Sequence, residues 1–98
     1  MKVKKIEKWF VYMLECADGS LYTGSTNDIE ARLEKHNSGK GAKYTRARLP
    51  VILKASWKYK NKSDAMKAEY QFKQLSREEK QEAISRCSNK MRKGYAKN

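Results

Sequence analysis

The side chains of this sequence that could carry out chemistry are two tyrosines, Tyr12 and Tyr22, together with Arg32, His36 and Glu69. A phenol or an imidazole can remove a proton from water, a guanidinium can bind phosphate through two parallel hydrogen bonds, and a carboxylate can hold Mg²⁺. These groups are the parts of a phosphodiesterase that uses a single metal ion. Each also has a structural explanation. Arg32 could extend from the rim of a helix into solvent, and Glu69 could form a structural salt bridge.

Whether the two phenols can act together depends on the turn that joins their strands. A two-residue loop of Asp18 and Gly19 would put the two rings on opposite faces of the hairpin. A three-residue loop, closed by Gly19 in the left-handed conformation, would instead pair Tyr12 with Gly24 and bring Tyr22 to the same face. We predict the three-residue loop, because a glycine opposite Tyr12 leaves room for its ring.

Helical periodicity directs the other polar groups toward the interior. His36 follows Ile29 and Leu33 in the i, i+4, i+7 pattern of a buried stripe. Arg32 borders the same stripe. On a later helix, Glu69 is expected to face inward, where a carboxylate needs a partner because desolvating its charge costs several kcal/mol. The apolar positions around it are Ala65, Ala68, Phe72 and Leu75.

The elements that position these groups follow from the apolar pattern and from turn and capping residues. An apolar run over residues 9–16 predicts a strand covered on both faces, and residues 21–25 and 51–59 predict two further strands. Residues 40–50 are predicted to form a basic loop with one helical turn. Capping residues predict three helices, from Asn27 to about Asn37, from Ser63 to about Leu75 and from Ser76 to about Cys87.

This pattern predicts an α+β fold in one domain over residues 9–88. The strands form a three-stranded antiparallel sheet flanked by helices, in the order β-β-α-β-α-α. Residues 1–8 and 89–98 are predicted to be flexible basic tails.

The distribution of charge predicts a polyanionic partner. The chain has 23 Lys+Arg against 11 Asp+Glu, a formal net charge of +12. No acid occurs between Glu34 and Asp64, so this segment presents a field of one sign that attracts nucleic acid. A basic surface that serves only solubility is the alternative. The predicted contacts to backbone phosphates are Lys40, Lys43, Arg46 and Arg48.

Cysteine content and hydropathy argue against other classes of protein. The 2 cysteines are too few and too far apart for a disulfide framework or a zinc site. No apolar stretch suits a signal peptide or a membrane span. We therefore expect a cytoplasmic protein with no membrane partner.

The ordered motifs resemble those of a known family. Phe10-Val11-Tyr12 and Tyr22-Thr23-Gly24 resemble the paired tripeptides of the GIY-YIG nucleases. The resemblance covers roughly residues 9–80. It is strongest to the small, single-domain bacterial YhbQ-like branch, and it extends to the nuclease subunit of the eukaryotic structure-selective Slx-type enzymes. The motifs that continue the pattern are Arg32, the His36-Asn37 pair, the Gly-Ala-x-Tyr-Thr segment over residues 41–45, and Glu69.

The resemblance implies an endonuclease that hydrolyses phosphodiester bonds in DNA. Glu69 would hold one divalent cation, Mg²⁺ or Mn²⁺. Tyr22 would be the general base that activates water, Tyr12 would position that water or the phosphate, and Arg32 would neutralise charge in the transition state. Two further residues would complete the phosphate-binding or base-assisting groups, His36 and Tyr44.

This mechanism requires one spatial arrangement. The rings of Tyr12 and Tyr22, the Arg32 guanidinium and the Glu69 carboxylate must converge on one concave patch. A Glu69 on the opposite side of the sheet from Tyr22, or closed in an ion pair far from any phenol, would contradict the nuclease hypothesis.

Two positions depart from the family pattern. Phe10 occupies the place of the first Gly, and Ser25 stands where the repair-nuclease branch has Lys directly after Tyr-x-Gly. The partners implied are DNA, including branched or single-stranded forms, and a protein scaffold in members that borrow their specificity. The alternatives are a non-catalytic nucleic-acid-binding module and a nuclease subunit that cuts only with its partner.

Overall fold

The computed structural model describes the backbone of residues 8–96 and the side chains of residues 8–87. Within that part of the chain, no helix combines the length and apolar composition needed to cross a bilayer. The predicted N-terminal tail, apart from Lys8, lies outside the described residues. The elements follow the predicted order, with the helical turn of the basic loop as α2: β1 (Trp9–Glu15), β2 (Leu21–Thr26), α1 (Ile29–Asn37), α2 (Lys43–Arg46), β3 (Ile52–Tyr59), α3 (Lys62–Lys73) and α4 (Arg77–Ala96).

The hairpin of β1 and β2 has the predicted three-residue turn. Tyr12 pairs with Gly24 and Leu14 pairs with Tyr22, so the two tyrosines lie on one face. Gly19 has a φ of 86°, in the left-handed region that a side chain with a Cβ disfavours. The position of this glycine therefore fixes which residues share a face.

The central strand β1 is buried on both faces, as predicted. The strands are ordered β2-β1-β3 and both pairings are antiparallel. On one face, Tyr12 belongs to a cluster covered by Leu33 of α1. On the other face, Met13 packs with Phe72 of α3 and Ile84 of α4, and full burial of such a side chain contributes about 1.5–3 kcal/mol. The α1 and α3–α4 layers thus lie on opposite sides of the sheet.

Two helices begin at different capping residues from those predicted. Helix α1 is capped by Asp28, whose carboxylate accepts a hydrogen bond from the amide of Ala31, and not by Asn27. Strand β2 extends one residue further than expected, which moves the turn along the chain. Helix α3 is capped by Asn61, and not by Ser63. In both places neighbouring polar residues can cap equally well by type, and the path of the preceding strand decides between them.

Helix α4 begins with the predicted capping box. The amide of Ser76 donates to the Glu79 carboxylate at 2.8 Å, and the amide of Glu79 donates to the Ser76 hydroxyl at 3.1 Å. The helix continues to Ala96, beyond the predicted end near Cys87, because no proline interrupts it. The backbone of most of the segment predicted as a C-terminal tail is therefore helical.

The side chain of Asn37 fixes the end of α1 against the start of β3. Its Nδ2 donates to the carbonyl of Val51 at 3.1 Å, and its Oδ1 accepts from the amide of Val51 at 2.8 Å. Val51 is only 4% exposed, so water is a poor substitute for these bonds. The pair closes the basic loop between α1 and β3 at its base.

We expect Asn37→Ala to lower the free energy of unfolding by about 1–3 kcal/mol, because it leaves buried backbone groups of Val51 without partners. Asn27→Ala is the matched control, since Asn27 is exposed and its loss should change stability little. Urea unfolding followed by circular dichroism measures both. Equal midpoints for the two variants would contradict this role of Asn37.

Candidate active site

Three aromatic side chains form a cluster on the α1 side of the sheet. The ring centroids of Tyr12 and Tyr22 are 6.4 Å apart, those of Tyr22 and His36 are 5.3 Å apart, and those of Tyr12 and His36 are 6.0 Å apart. A Cβ at Gly24 would lie 2.5 Å from the Tyr12 hydroxyl oxygen and 2.7 Å from Cζ. The glycine of the Tyr-x-Gly motif is therefore required by the ring across the strand, as the sequence suggested.

A buried chain of hydrogen bonds runs from Tyr12 through His36. The Tyr12 hydroxyl lies 3.0 Å from His36 Nε2, and His36 Nδ1 lies 2.8 Å from Thr45 Oγ1. The Thr45 hydroxyl donates its proton to the carbonyl of Ala42 at 3.0 Å. Since that hydroxyl can then only accept from the imidazole, we infer that His36 is protonated on Nδ1 and accepts the Tyr12 proton at Nε2.

The surroundings keep both groups of this chain uncharged near neutral pH. Burial, and secondly the charge of Arg32, lower the pKa of His36 from its ordinary value of 6.5. Burial raises the pKa of Tyr12 above 10.0, although its hydrogen-bonding interaction with Arg32 works in the opposite direction. A neutral His36 can accept the hydrogen bond, and a protonated Tyr12 can donate it.

Gly41 provides the space for the imidazole. A Cβ at this position would overlap with His36 Nδ1 and lie 2.8 Å from its Cα. The segment that follows α1 therefore folds directly against the histidine and brings Thr45 to it. Thr45 has no exposed surface. Its role as the partner of His36 was not predicted, although the Gly-Ala-x-Tyr-Thr segment contains both residues that contact the ring.

Arg32 brings an unneutralised positive charge to the cluster. Its charge acts on both Tyr12 and His36, and it forms no salt bridge with any residue in the described part of the chain. The side chain is half-buried, so an anion that enters the site would meet a partly desolvated guanidinium.

Tyr22 differs from Tyr12 in its hydrogen bonding. Within residues 8–87 its hydroxyl has no hydrogen-bond partner, and its ring stacks on Tyr44 with centroids 6.1 Å apart. The Arg48 guanidinium lies 3.9 Å from the centroid of the Tyr44 ring and donates to Asp18 at 3.1 Å. Arg48, a predicted phosphate contact, thus braces Tyr44 and the hairpin turn.

The other predicted phosphate contacts are accessible. Lys40, Lys43 and Arg46 are exposed and form no salt bridge among the described residues. Lys43 and Arg46 flank Tyr44 and Thr45 on α2, and these two residues connect the helix to Tyr22 and His36. Basic side chains are therefore held at the rim of the aromatic cluster.

Glu69 approaches from the opposite layer and reaches the edge strand. Its Oε1 accepts a hydrogen bond from the Ser25 hydroxyl at 2.7 Å, and its Oε2 lies 2.9 Å from the Lys73 ammonium. The side chain is only 18% exposed, which confirms the prediction that it faces inward. Its charge also contributes to raising the pKa of Tyr12. The carboxylate thus belongs to the α3 layer, but it lies within electrostatic reach of a phenol.

The prediction that these groups converge on one concave patch is wrong: the tyrosines lie on the α1 side of the sheet, and Glu69 reaches Ser25 of β2 from the α3 side. The nuclease hypothesis does not fall with it, because β2 is an edge strand and the Glu69 charge still acts on Tyr12 around it. Lys73, the ion-pair partner of Glu69, lines the same groove as Tyr22, so the pair is not remote from the phenols. The partnership of Lys73 with Glu69 was not predicted, although the i, i+4 spacing is a signal for it.

Glu69 and its surroundings suit a cation bound by one carboxylate. Within the described residues, no group of three or more His, Cys, Asp and Glu side chains could enclose a metal ion. Mg²⁺ commonly binds through one or two carboxylates together with water and substrate phosphates. The Lys73 ammonium lies 2.9 Å from Oε2 of Glu69, so a cation bound at this oxygen would have to displace it.

Comparison with known proteins gives a consistent result. The profile of the GIY-YIG catalytic domain matches residues 8–82. A UPF0213 protein of Bacillus cereus is 60% identical over 75 residues, which is 76% of this chain and 78% of the relative. The UPF0213 protein SAG0778 of Streptococcus agalactiae is 54% identical over 80 residues, which is 82% of this chain and 91% of the relative.

Two solved structures are also similar. The solution NMR structure of the UPF0213 protein BH0048 from Bacillus halodurans has a TM-score of 0.52 at 52% identity, covering 80% of this chain and 83% of that chain. The solution NMR structure of the protein EF2693 from E. faecalis has a TM-score of 0.56 at 45% identity, covering 87% of this chain and 88% of that chain.

We expect His36, the 1 histidine of the chain, to be protonated on Nδ1 and not on Nε2 at neutral pH. Because burial lowers its pKa below 6.5, the unfolded state binds a proton at a higher pH than the folded state does. Stability from this group is therefore complete above pH 6.5 and is lost as pH falls through the lower, folded-state pKa. Imidazole ¹⁵N spectra and urea unfolding as a function of pH measure the two effects.

Thr45→Val tests the hydrogen-bond chain directly. It leaves the buried Nδ1–H without an acceptor and should cost about 1–3 kcal/mol of stability. Thr23→Val is the control, because Thr23 is also buried and its hydroxyl has no partner among the described residues. A Thr45→Val protein as stable as Thr23→Val, with unchanged imidazole spectra, would show that Thr45 does not orient the histidine.

Proposed function

Because the chain belongs to the GIY-YIG family, we propose that it is a divalent-metal-dependent endonuclease that hydrolyses phosphodiester bonds in DNA. The observation that carries the proposal is the position of one inward glutamate, Glu69, at the edge of a cluster that contains two phenols and an arginine without a salt bridge among the described residues. Within the described residues, the Arg32 charge has no ion-pair partner and the Tyr22 hydroxyl has no hydrogen-bond partner, and a purely structural role does not explain either.

In the proposed reaction, Arg32 binds the scissile phosphate. Its planar guanidinium can donate two parallel hydrogen bonds to non-bridging oxygens. Because no carboxylate among the described residues neutralises it, its charge is available as negative charge increases on the phosphate in the transition state.

The two tyrosines have different roles because their hydrogen bonding differs. Tyr12 donates its proton to His36, so toward the substrate it can only accept, which suits it to orient the attacking water. The Tyr22 hydroxyl has no hydrogen-bond partner among the described residues, and we assign it the role of general base. Tyr44 keeps the Tyr22 ring in place through stacking, and His36 and Thr45 keep Tyr12 in place.

Glu69 is the proposed ligand of the divalent cation, Mg²⁺ or Mn²⁺, with one cation per site. When bound, the cation supplies charge stabilisation at the phosphate and at the leaving oxygen. The Ser25 hydroxyl, which donates to Oε1 of Glu69, orients the carboxylate. Ser25 stands where the repair-nuclease branch has Lys, so in this chain a neutral side chain takes that place beside the glutamate.

The contacts of the basic loop favour a chain that is active without a partner protein. The contacts of Thr45 with His36 and of Arg48 with Asp18 hold the loop on the site within one chain. Lys40, Lys43 and Arg46 are proposed to grip backbone phosphates, which gives affinity without sequence reading.

We expect Glu69→Gln and Tyr22→Phe each to reduce DNA cleavage by at least about 100-fold, while DNA binding in EDTA stays within about twofold. The substrates are labelled duplex, flap, fork, four-way and single-stranded DNA with Mg²⁺ or Mn²⁺. Glu34→Gln and Tyr70→Phe are matched controls, because both residues are exposed and should leave cleavage unchanged.

The alternatives predict different results in the same assay. A non-catalytic module would bind DNA in a salt-sensitive manner and cut none of the substrates with any divalent cation. A subunit that depends on a partner would cut only after cell extract is added. Full activity in both Glu69→Gln and Tyr22→Phe would refute the assigned mechanism.

A further inference from the structure

A groove of about 350 Å³ opens beside Tyr22, on the part of the edge strand nearest the hairpin turn. Strand β2 contributes one side of it, Tyr44 of α2 a second, and α3 and α4 a third. It brings together two aromatic rings and two ammonium groups, and it contains no acid. Its lining consists of Leu21, Tyr22, Thr23, Tyr44, Lys73 and Lys80.

Lys80 carries an unneutralised charge in this groove. The residue is half-buried, and it forms no salt bridge with any residue whose side chain the structure describes. Partial removal of an ammonium from water is unfavourable without a partner. Its own helix offers none, because the residues three and four positions away are Ser76, Arg77, Ala83 and Ile84.

Lys73 connects the groove to the proposed metal ligand. Its ammonium lies 2.9 Å from Oε2 of Glu69, and its side chain is 49% exposed. An i, i+4 pair at this exposure is worth little in stability, so Lys73 can exchange the carboxylate for another anion at small cost. A ligand in the groove would therefore lie next to the group that serves catalysis.

The aromatic side of the groove does not suit a nucleobase. Tyr44 already stacks on Tyr22 and has Arg48 over its ring, and both contacts compete with a base for its faces. The charges that the groove offers to a ligand are the Lys80 ammonium, which has no ion pair among the described residues, and the Lys73 ammonium, which is paired with Glu69. These are point charges suited to phosphate oxygens.

Resting on the proposed function, we propose that this groove binds a backbone phosphate next to the scissile one, with Lys80 as the principal contact and Lys73 as the second. Lys43 and Arg46 flank Tyr44 and Thr45 on α2, so the substrate strand would cross the edge of the sheet with basic side chains on both sides of Tyr22. The nucleic acid is then held by charges on either side of the reacting phosphate.

The test is the salt dependence of binding by the full chain to a labelled single-stranded oligonucleotide, in EDTA to prevent cleavage. Lys80→Gln should raise Kd by about two- to fivefold, the size of one partly exposed ion pair. It should also lower the slope of log K against log salt by about 0.7, the loss of one phosphate contact. Lys80→Arg should restore both values.

Lys58→Gln is the matched control. It removes the same charge, but Lys58 is exposed on β3 at the other edge of the sheet. If the two Gln variants have equal slopes, the groove is not a phosphate site. If Lys80→Gln weakens the binding of an acidic glutamate peptide as much as it weakens the binding of the oligonucleotide, the groove belongs to a protein partner and the proposal is overturned. Cleavage with Mg²⁺ is measured separately, so a wild type that cuts nothing with or without cell extract refutes the nuclease function while the binding data still decide the groove.

Discussion

The hydrogen bond between Tyr12 and His36 is the constraint on which the site depends. It joins the central strand β1 to α1 in a buried region, and Thr45 extends it to α2. The positions of these two rings also explain why glycine occupies two nearby positions. A side chain at Gly24 would strike the Tyr12 hydroxyl, and one at Gly41 would strike the imidazole. The two tyrosine-motif residues, the histidine and the two glycines, which are separate in the sequence, therefore pack as one unit.

The same hydrogen bond gives the hydroxyl groups of Tyr12 and Tyr22 different surroundings. Both tyrosines come from one hairpin and face the same side, yet only Tyr12 has its proton held by a buried neutral histidine. Tyr22 is held by stacking on Tyr44, which constrains its ring and leaves its hydroxyl uncommitted among the described residues. In the proposed nuclease, this difference assigns orientation of water to Tyr12 and proton removal to Tyr22. Identical side chains thus acquire different functions from what their hydroxyls contact.

The fold was predictable where local chemistry leaves one choice. Gly19 determined the turn and the register, and the Ser76–Glu79 capping box began α4 as expected. Caps were mispredicted at α1 and α3, where several adjacent residues can cap and only the path of the chain selects one. The inward orientation of Glu69 followed from periodicity. Its contacts with Ser25, and the engagement of Arg48 by Asp18 and Tyr44, depend on residues distant in sequence, and no local pattern encodes them.

The balance of charge around β2 explains how one carboxylate could suffice in such a basic chain. Arg32 on one side of the strand and Lys73 and Lys80 on the other surround a single acid, so the region is positive before any ligand enters. Such a field opposes a free divalent cation and attracts phosphate. In the proposed nuclease, cation and nucleic acid therefore favour each other's binding, since phosphate oxygens both neutralise the field and complete the coordination of the metal. An enclosed cluster of acids could bind the metal before the substrate arrives, whereas in the proposed nuclease a lone glutamate among cations would make metal binding depend on the substrate.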